Sequence, residues 1–271
     1  MTADTTANLP QNLQAIRDRA PLIHNITNLV VTNVTANALL ALGASPAMVE
    51  NTDEVAELAR VANALVINLG TISSSRAAAM RIGARAAVQA GKPWVMDPVA
   101  VGALGYRSRL AAELLAERPT VIRGNASEIT ALAAMQGGGV TAGGKGVDST
   151  LSSAAALEEA KGLASRTGAI VVVSGAMDYV TDGKRVTGIA NGHPIMTRVT
   201  GMGCTATALI APFLAVTPDA FAAAVQATIV MGVAGDTAME MAGGPGSFQV
   251  AFLDVLYALE GEEILAKARL T

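Results

Sequence analysis

Ala64-Leu65-Val66-Ile67-Asn68-Leu69-Gly70 is a compact apolar run stopped by a glycine, and it predicts a strand. The same pattern returns on either side of it. Residues 73–90 have helical spacing and end at Gly91, and 93–96 form a strand that stops at Asp97-Pro98. Helix 107–117, strand 120–122 ending in Arg123-Gly124-Asn125, and helix 127–135 follow. After a glycine-rich loop over 136–149 come helix 152–166 and a β-branched strand over 169–173 that ends at Ser174-Gly175. Short apolar strands alternating with helices mean a mostly parallel central sheet with helices on both faces. The spacing predicts an α/β fold in a single domain.

Farther out, residues 1–12 are polar and aperiodic and predict a loose tail. Helices are predicted over 13–19, 30–42 (capped by Gly43) and 54–62 (Asp53 as N-cap), with a strand over 47–49. Strands 179–181 and 185–189 meet through Asp182-Gly183 as a hairpin, and helices 205–216, 219–241 and 247–265 close the chain.

Composition removes several classes of function. The 271 residues are 51% hydrophobic and 15% charged, with a formal net charge of −3 and no basic stripe, so nucleic acid is not an expected partner. One cysteine, Cys204, excludes an internal disulfide and suits a reducing compartment. There is no secretion-signal pattern, and no unbroken apolar run reaches the ~18–20 residues of a membrane span. The expectation is a cytoplasmic protein with no membrane association. Its low charge and high apolar content point to buried subunit contacts.

In parallel α/β sheets ligands bind outside the carboxyl ends of the strands. The polar residues there are Asn68, Asp97, Arg123, Asn125, Glu128 and Ser174. Facing them is Val199-Thr200-Gly201-Met202-Gly203-Cys204, two glycines feeding a helix. A glycine turn at a helix start leaves backbone N–H groups free at the positive end of the dipole, where phosphate binds. Each part has a plainer reading: Gly-x-Gly as a sharp turn, Asp97-Pro98 and Ser174-Gly175 as turns, Asn125 to Glu128 as a helix start, Arg123 as a surface residue. Their joint placement favours a phosphoryl-transfer site of carboxylates, a cation and backbone amides.

The chain also resembles the hydroxyethylthiazole kinases, thiamine-salvage enzymes of the ribokinase-like superfamily, over about residues 13–265. The resemblance is carried by Ile23-His24-Asn25-Ile26-Thr27-Asn28, Ala47-Met48-Val49, Asp97-Pro98-Val99, Arg123-Gly124-Asn125-Ala126-Ser127-Glu128, Gly144-Lys145-Gly146-Val147-Asp148-Ser149, Asp178-Tyr179-Val180-Thr181-Asp182-Gly183 and the Gly201 loop, in that order. It implies ATP-dependent phosphorylation of the primary hydroxyl of 4-methyl-5-(2-hydroxyethyl)thiazole. It also implies that Asn25, Met48 and Gly201 contact the thiazole, that Arg123 and Ser174 contact the nucleotide, and that Asp97 and Glu128 organise Mg²⁺. The implied assembly is a homotrimer with the thiazole site between subunits.

Cys204, with Gly201 and Gly203, completes the catalytic set. Most relatives in the superfamily carry Asp at this position, and the thiazole kinases carry Cys. A helix N-terminus lowers a thiol pKa and bound phosphate raises it, so Cys204 is expected to position the hydroxyl and assist modestly as base. Two other readings remain open: a Cys204 nucleophile activated by His24 or His193 for acyl transfer, and a non-catalytic nucleotide sensor. The loop at 136–149 reads equally as a lid carrying Lys145 and as a plain connection.

Overall fold

The computed structural model describes residues 5–137 and 152–271. Its sheet has eight strands in the order β2-β1-β3-β4-β5-β6-β7-β8. These are β1 (Leu22–Ile26), β2 (Ser45–Ala47), β3 (Ala64–Asn68), β4 (Trp94–Asp97), β5 (Val121–Asn125), β6 (Ile170–Ser174), β7 (Asp178–Thr181) and β8 (Val186–Ile189). The first six run parallel, and β7 and β8 form the antiparallel hairpin at one edge.

Helices cover both faces because every central strand is apolar on both sides. In β3, Ala64 and Val66 enter one core and Leu65 and Ile67 the other. The first core is built with α1 (Leu9–Arg19), α2 (Thr32–Leu42), α8 (Met202–Val216), α9 (Ala220–Met241) and α10 (Pro245–Ala258), with α11 (Gly261–Lys267) at its margin. The second uses α3 (Val55–Val61), α4 (Ser74–Gln89), α5 (Gly105–Leu115), α6 (Ala126–Gln136) and α7 (Leu157–Thr167). Helix α9 is long and apolar enough to cross a membrane by length and composition, yet 83% of its apolar window is buried in the fold. It is the Ala-rich central helix of the first core.

Several expectations need correction. Residues 5–12 are not a loose tail: α1 starts at Leu9, which is fully buried, and Asn12 donates to Gln226, which in turn donates to the Thr5 carbonyl. Residues 1–4 lie outside the described residues, as does most of the glycine-rich loop with Lys145. Asp53 caps nothing; its own N–H is held by the Asn51 side chain, and α3 starts at Val55. Strand β2 ends at Ala47, leaving Met48 just beyond it. The helix expected over 247–265 is two helices, because the backbone turns extended at Leu259 and Glu260; Gly261, which opens the second, packs so closely on Pro10 that a Cβ there would lie 2.4 Å from the Pro10 Cα. Finally, α8 starts at Met202, so Gly203 and Cys204 belong to its first turn rather than to a preceding loop.

Candidate active site

The strand register assembles the site. Asn68 pairs with Asp97, and the next strand carries Arg123 one step past the Met96–Ile122 pair. Asn68, Asp97 and Arg123 therefore sit side by side across β3, β4 and β5, on the face that carries α8. Strand β4 ends at Asp97 because Pro98 has no N–H to continue the ladder. Strand β5 runs straight into α6, where Asn125 and Glu128 form a reciprocal cap. Glu128 also reaches sideways, accepting from the Ala100 N–H at 2.8 Å, and so ties the segment after Asp97 to the start of α6. The helix-start reading of Glu128 is therefore correct, and its carboxylate also spans two strand ends.

Facing this row is the N-terminus of α8. Gly201 is its N-cap with φ +84°, and a Cβ there would meet Val31 Cγ1 at 2.6 Å. Gly203 is different: a Cβ there would find only Arg123 Nη1, at 3.9 Å. No side chain caps α8 and its first turn carries no acid, so its opening amides have no side-chain acceptor. Arg123 Nη1 donates to the Gly203 carbonyl at 3.0 Å. Arg123 is buried, and none of the ion pairs among the described residues includes it. A buried guanidinium that feels Asp97, Glu128 and Asp178 but makes no direct ion pair, set beside the opening turn of a helix, suits an anion.

The two carboxylates have the opposite problem. Burial pushes Asp97 up to about 6, against the pull of Arg123 and of bonds from Thr207 and Asn68. Burial and then the Asp97 charge push Glu128 up to about 7. Two buried acids that resist ionising together fit a divalent cation. Among the described residues no group of three or more His, Cys, Asp or Glu is placed to hold a metal. The pair fits Mg²⁺, which keeps several waters and takes its other ligands from phosphates.

Cys204 is half-buried beside Asp97. Burial, then the Asp97 charge, push its thiol up to about 12, while bonds from Asn68 and Asn28 pull the other way. The net shift is upward, opposite to the lowering expected from a helix end alone.

The remaining site residues lie around this centre. Ser174 ends β6, its hydroxyl donating to the Gly124 carbonyl at 3.3 Å. Asn25 lies in β1 on the Val66 face, and its Oδ1 is buried without a partner. Met48 is half-buried past edge strand β2, in a segment tied to β1 where His24 Nε2 meets the Val49 carbonyl at 2.8 Å. None of the described hydrogen bonds joins Asn25 or Met48 to the Cys204 cluster. His193 is bound to the Ile195 N–H, so neither histidine is bonded to Cys204 and the thiol-nucleophile reading loses its base. Three residues with no role assigned from sequence belong here. Asn28 touches Cys204, Thr207 bonds Asp97, and Asp178, raised by burial, senses the Arg123 charge from the start of β7.

Comparison with known proteins identifies the family. A sequence model of the hydroxyethylthiazole kinase family matches residues 13–262. The chain is 63% identical over 257 residues to a hydroxyethylthiazole kinase of Granulibacter bethesdensis, covering 95% of this chain and 92% of that protein. It is 53% identical over 253 residues to one of Leptospira interrogans, covering 93% and 94%. The solved hydroxyethylthiazole kinase of Pyrococcus horikoshii superposes with a TM-score of 0.89 at 40% identity, over 97% of this chain and 98% of that one. The pyridoxal kinase of Staphylococcus aureus (TM-score 0.58, 14% identity, 79% and 86% covered) shares the fold alone. Over nearly its whole length, then, the chain belongs to the hydroxyethylthiazole kinase family.

Proposed function

We propose that the protein transfers the γ-phosphoryl group of ATP to the primary hydroxyl of 4-methyl-5-(2-hydroxyethyl)thiazole, forming a P–O bond to the alcohol and releasing ADP. The observation that carries this reading is Arg123, buried and without an ion pair, touching the uncapped first turn of α8. In this role Arg123 and Ser174 hold the ATP phosphates, and the amides at Gly201 and Gly203 take up charge on the transferred group. Asn25 and Met48 bound the thiazole pocket with Gly201. Mg²⁺, held through Asp97 and Glu128 and their waters, would neutralise phosphate charge. A thiol raised this far stays protonated at neutral pH, so Cys204 positions the attacking hydroxyl more than it deprotonates it.

The reading extends to assembly. Helices α2 and α10 pack on one another and leave Leu40, Val250 and Tyr257 exposed, with Leu29 and Val30 exposed just before α2. Exposed apolar residues of this kind support self-association; in this reading the assembly is a cytoplasmic homotrimer, with the thiazole pocket beside the turn that bears Leu29. Sedimentation of the protein should give three copies, and Leu40→Glu should shift the distribution toward monomer. Phosphorus NMR of a reaction mixture should show a new phosphate monoester growing with ADP. ADP and inorganic phosphate without the monoester would refute the transfer to the alcohol.

A further inference from the structure

Asn28 and Asn68 lie 4% and 1% exposed at the ends of neighbouring strands, next to Cys204. Their amide orientations follow from their partners. Asn28 Oδ1 accepts from the Val30 N–H at 3.0 Å, so its Nδ2 must be the atom that faces Asn68 Oδ1 at 2.8 Å and Cys204 Sγ at 3.5 Å. Asn68 Oδ1 also accepts from the Gly70 N–H at 2.9 Å, which leaves its Nδ2 to donate to Asp97 Oδ2 at 2.7 Å. Flipping either amide would set donor against donor and acceptor against acceptor at two or more contacts. Gly70 closes the arrangement, since a Cβ there would lie 2.8 Å from Asn28 Nδ2.

We propose that Asn28 is a positioning residue for phosphoryl transfer: it holds the Cys204 sulfur as a hydrogen-bond acceptor, and Asn68 locks Asn28 and Asp97 into register. Asn28 and Asn68 donate to the sulfur and its S–H is left for the Asp97 carboxylate, so the sulfur is fixed in place beside the path of the incoming hydroxyl. Asn28 also anchors the turn that exposes Leu29 and Val30, because its backbone carbonyl accepts from Thr32 and its side chain holds the Val30 N–H. The position of the thiol is thereby tied to the geometry of that turn.

Cys204 is the sole cysteine in the chain, so alkylation reads it without interference. The test compares wild type with Asn28→Ala and Asn28→Asp, measuring iodoacetamide modification at one neutral pH alongside steady-state kinetics. Losing the Asn28 donor, which favours the thiolate, should slow alkylation several-fold in both variants. It should lower kcat by about 10-fold and leave both KM values within about twofold, as expected for an interaction that matters mainly in the transition state. Asn28→Asp keeps the shape, removes the donor and adds a charge that also disfavours the thiolate, so it carries the test if Asn28→Ala does not fold. Unchanged or faster alkylation, or unchanged kcat with a raised KM, would overturn the proposal. The kinetic half rests on the kinase reading, whereas the alkylation half needs no turnover, so the two failures are distinguishable.

Discussion

The two glycines at the start of α8 have different reasons to be glycine, and alanine substitution should separate them. At Gly201 the backbone has φ +84° and a Cβ would meet Val31 Cγ1 at 2.6 Å. Holding alanine in a left-handed conformation costs about 1–2 kcal/mol, and forcing a methyl into a packed contact about 1–3 kcal/mol. The sum is roughly 2–5 kcal/mol, or on the order of 5–10 °C in Tm for a chain of this size. At Gly203 the backbone is helical and the nearest atom to a Cβ is 3.9 Å away, so Gly203→Ala should leave the melt unchanged or raise it slightly. That methyl would project into the phosphate cradle, however, and kcat/KM should fall by roughly 100-fold, the scale of losing an oxyanion donor. Thermal melts by circular dichroism and initial rates of ADP release measure both. If Gly203→Ala keeps full activity, the α8 amides do not bind the transferred group. An unaltered melt for Gly201→Ala would show that the Val31 contact imposes no constraint.

Arg123→Lys keeps the charge but loses the planar fork, and should raise the KM for ATP about 10-fold with little change in Tm; an unchanged KM would remove Arg123 from the nucleotide site. Asp97 and Glu128 predict a pH dependence of stability. Both have folded-state values above the ordinary carboxylate range, about 6 and about 7, so ionising them opposes folding. The stability they contribute is complete below about pH 4 and is lost as pH rises through 6 to 7. Metal-free wild type should therefore lose more Tm between about pH 5 and pH 8 than the Asp97→Asn/Glu128→Gln double variant, and Mg²⁺ should restore more of it at the upper pH. Parallel curves for the two proteins would contradict this.

Local signals carried much of the architecture. The strands at 64–68 and 170–174 stand out because they are short, apolar on both faces and bounded by glycine. Asn125 and Glu128 at cap spacing mark the start of α6, and Gly43 marks the end of α2. What stayed hidden depends on distant partners. The Asn12–Gln226 bond near the start of α1 is one such contact, and Pro10 packed on Gly261 is another. The start itself does have a local mark, Pro10 in the first turn of α1. Distant partners also build the site. Asn28 is 40 residues from Asn68 and 176 from Cys204, and only the sheet brings the three together. The direction of the Cys204 shift likewise comes from burial beside Asp97, a strand-end residue far away in sequence.

The account stands most directly on which alcohol the site phosphorylates. The measurement is ADP release from ATP and Mg²⁺, run in parallel with 4-methyl-5-(2-hydroxyethyl)thiazole, hydroxymethylpyrimidine and pyridoxal. The account predicts turnover on the thiazole and none above background on the other two. Turnover on another alcohol alone, or ATP bound tightly with no turnover on any of the three, would contradict it.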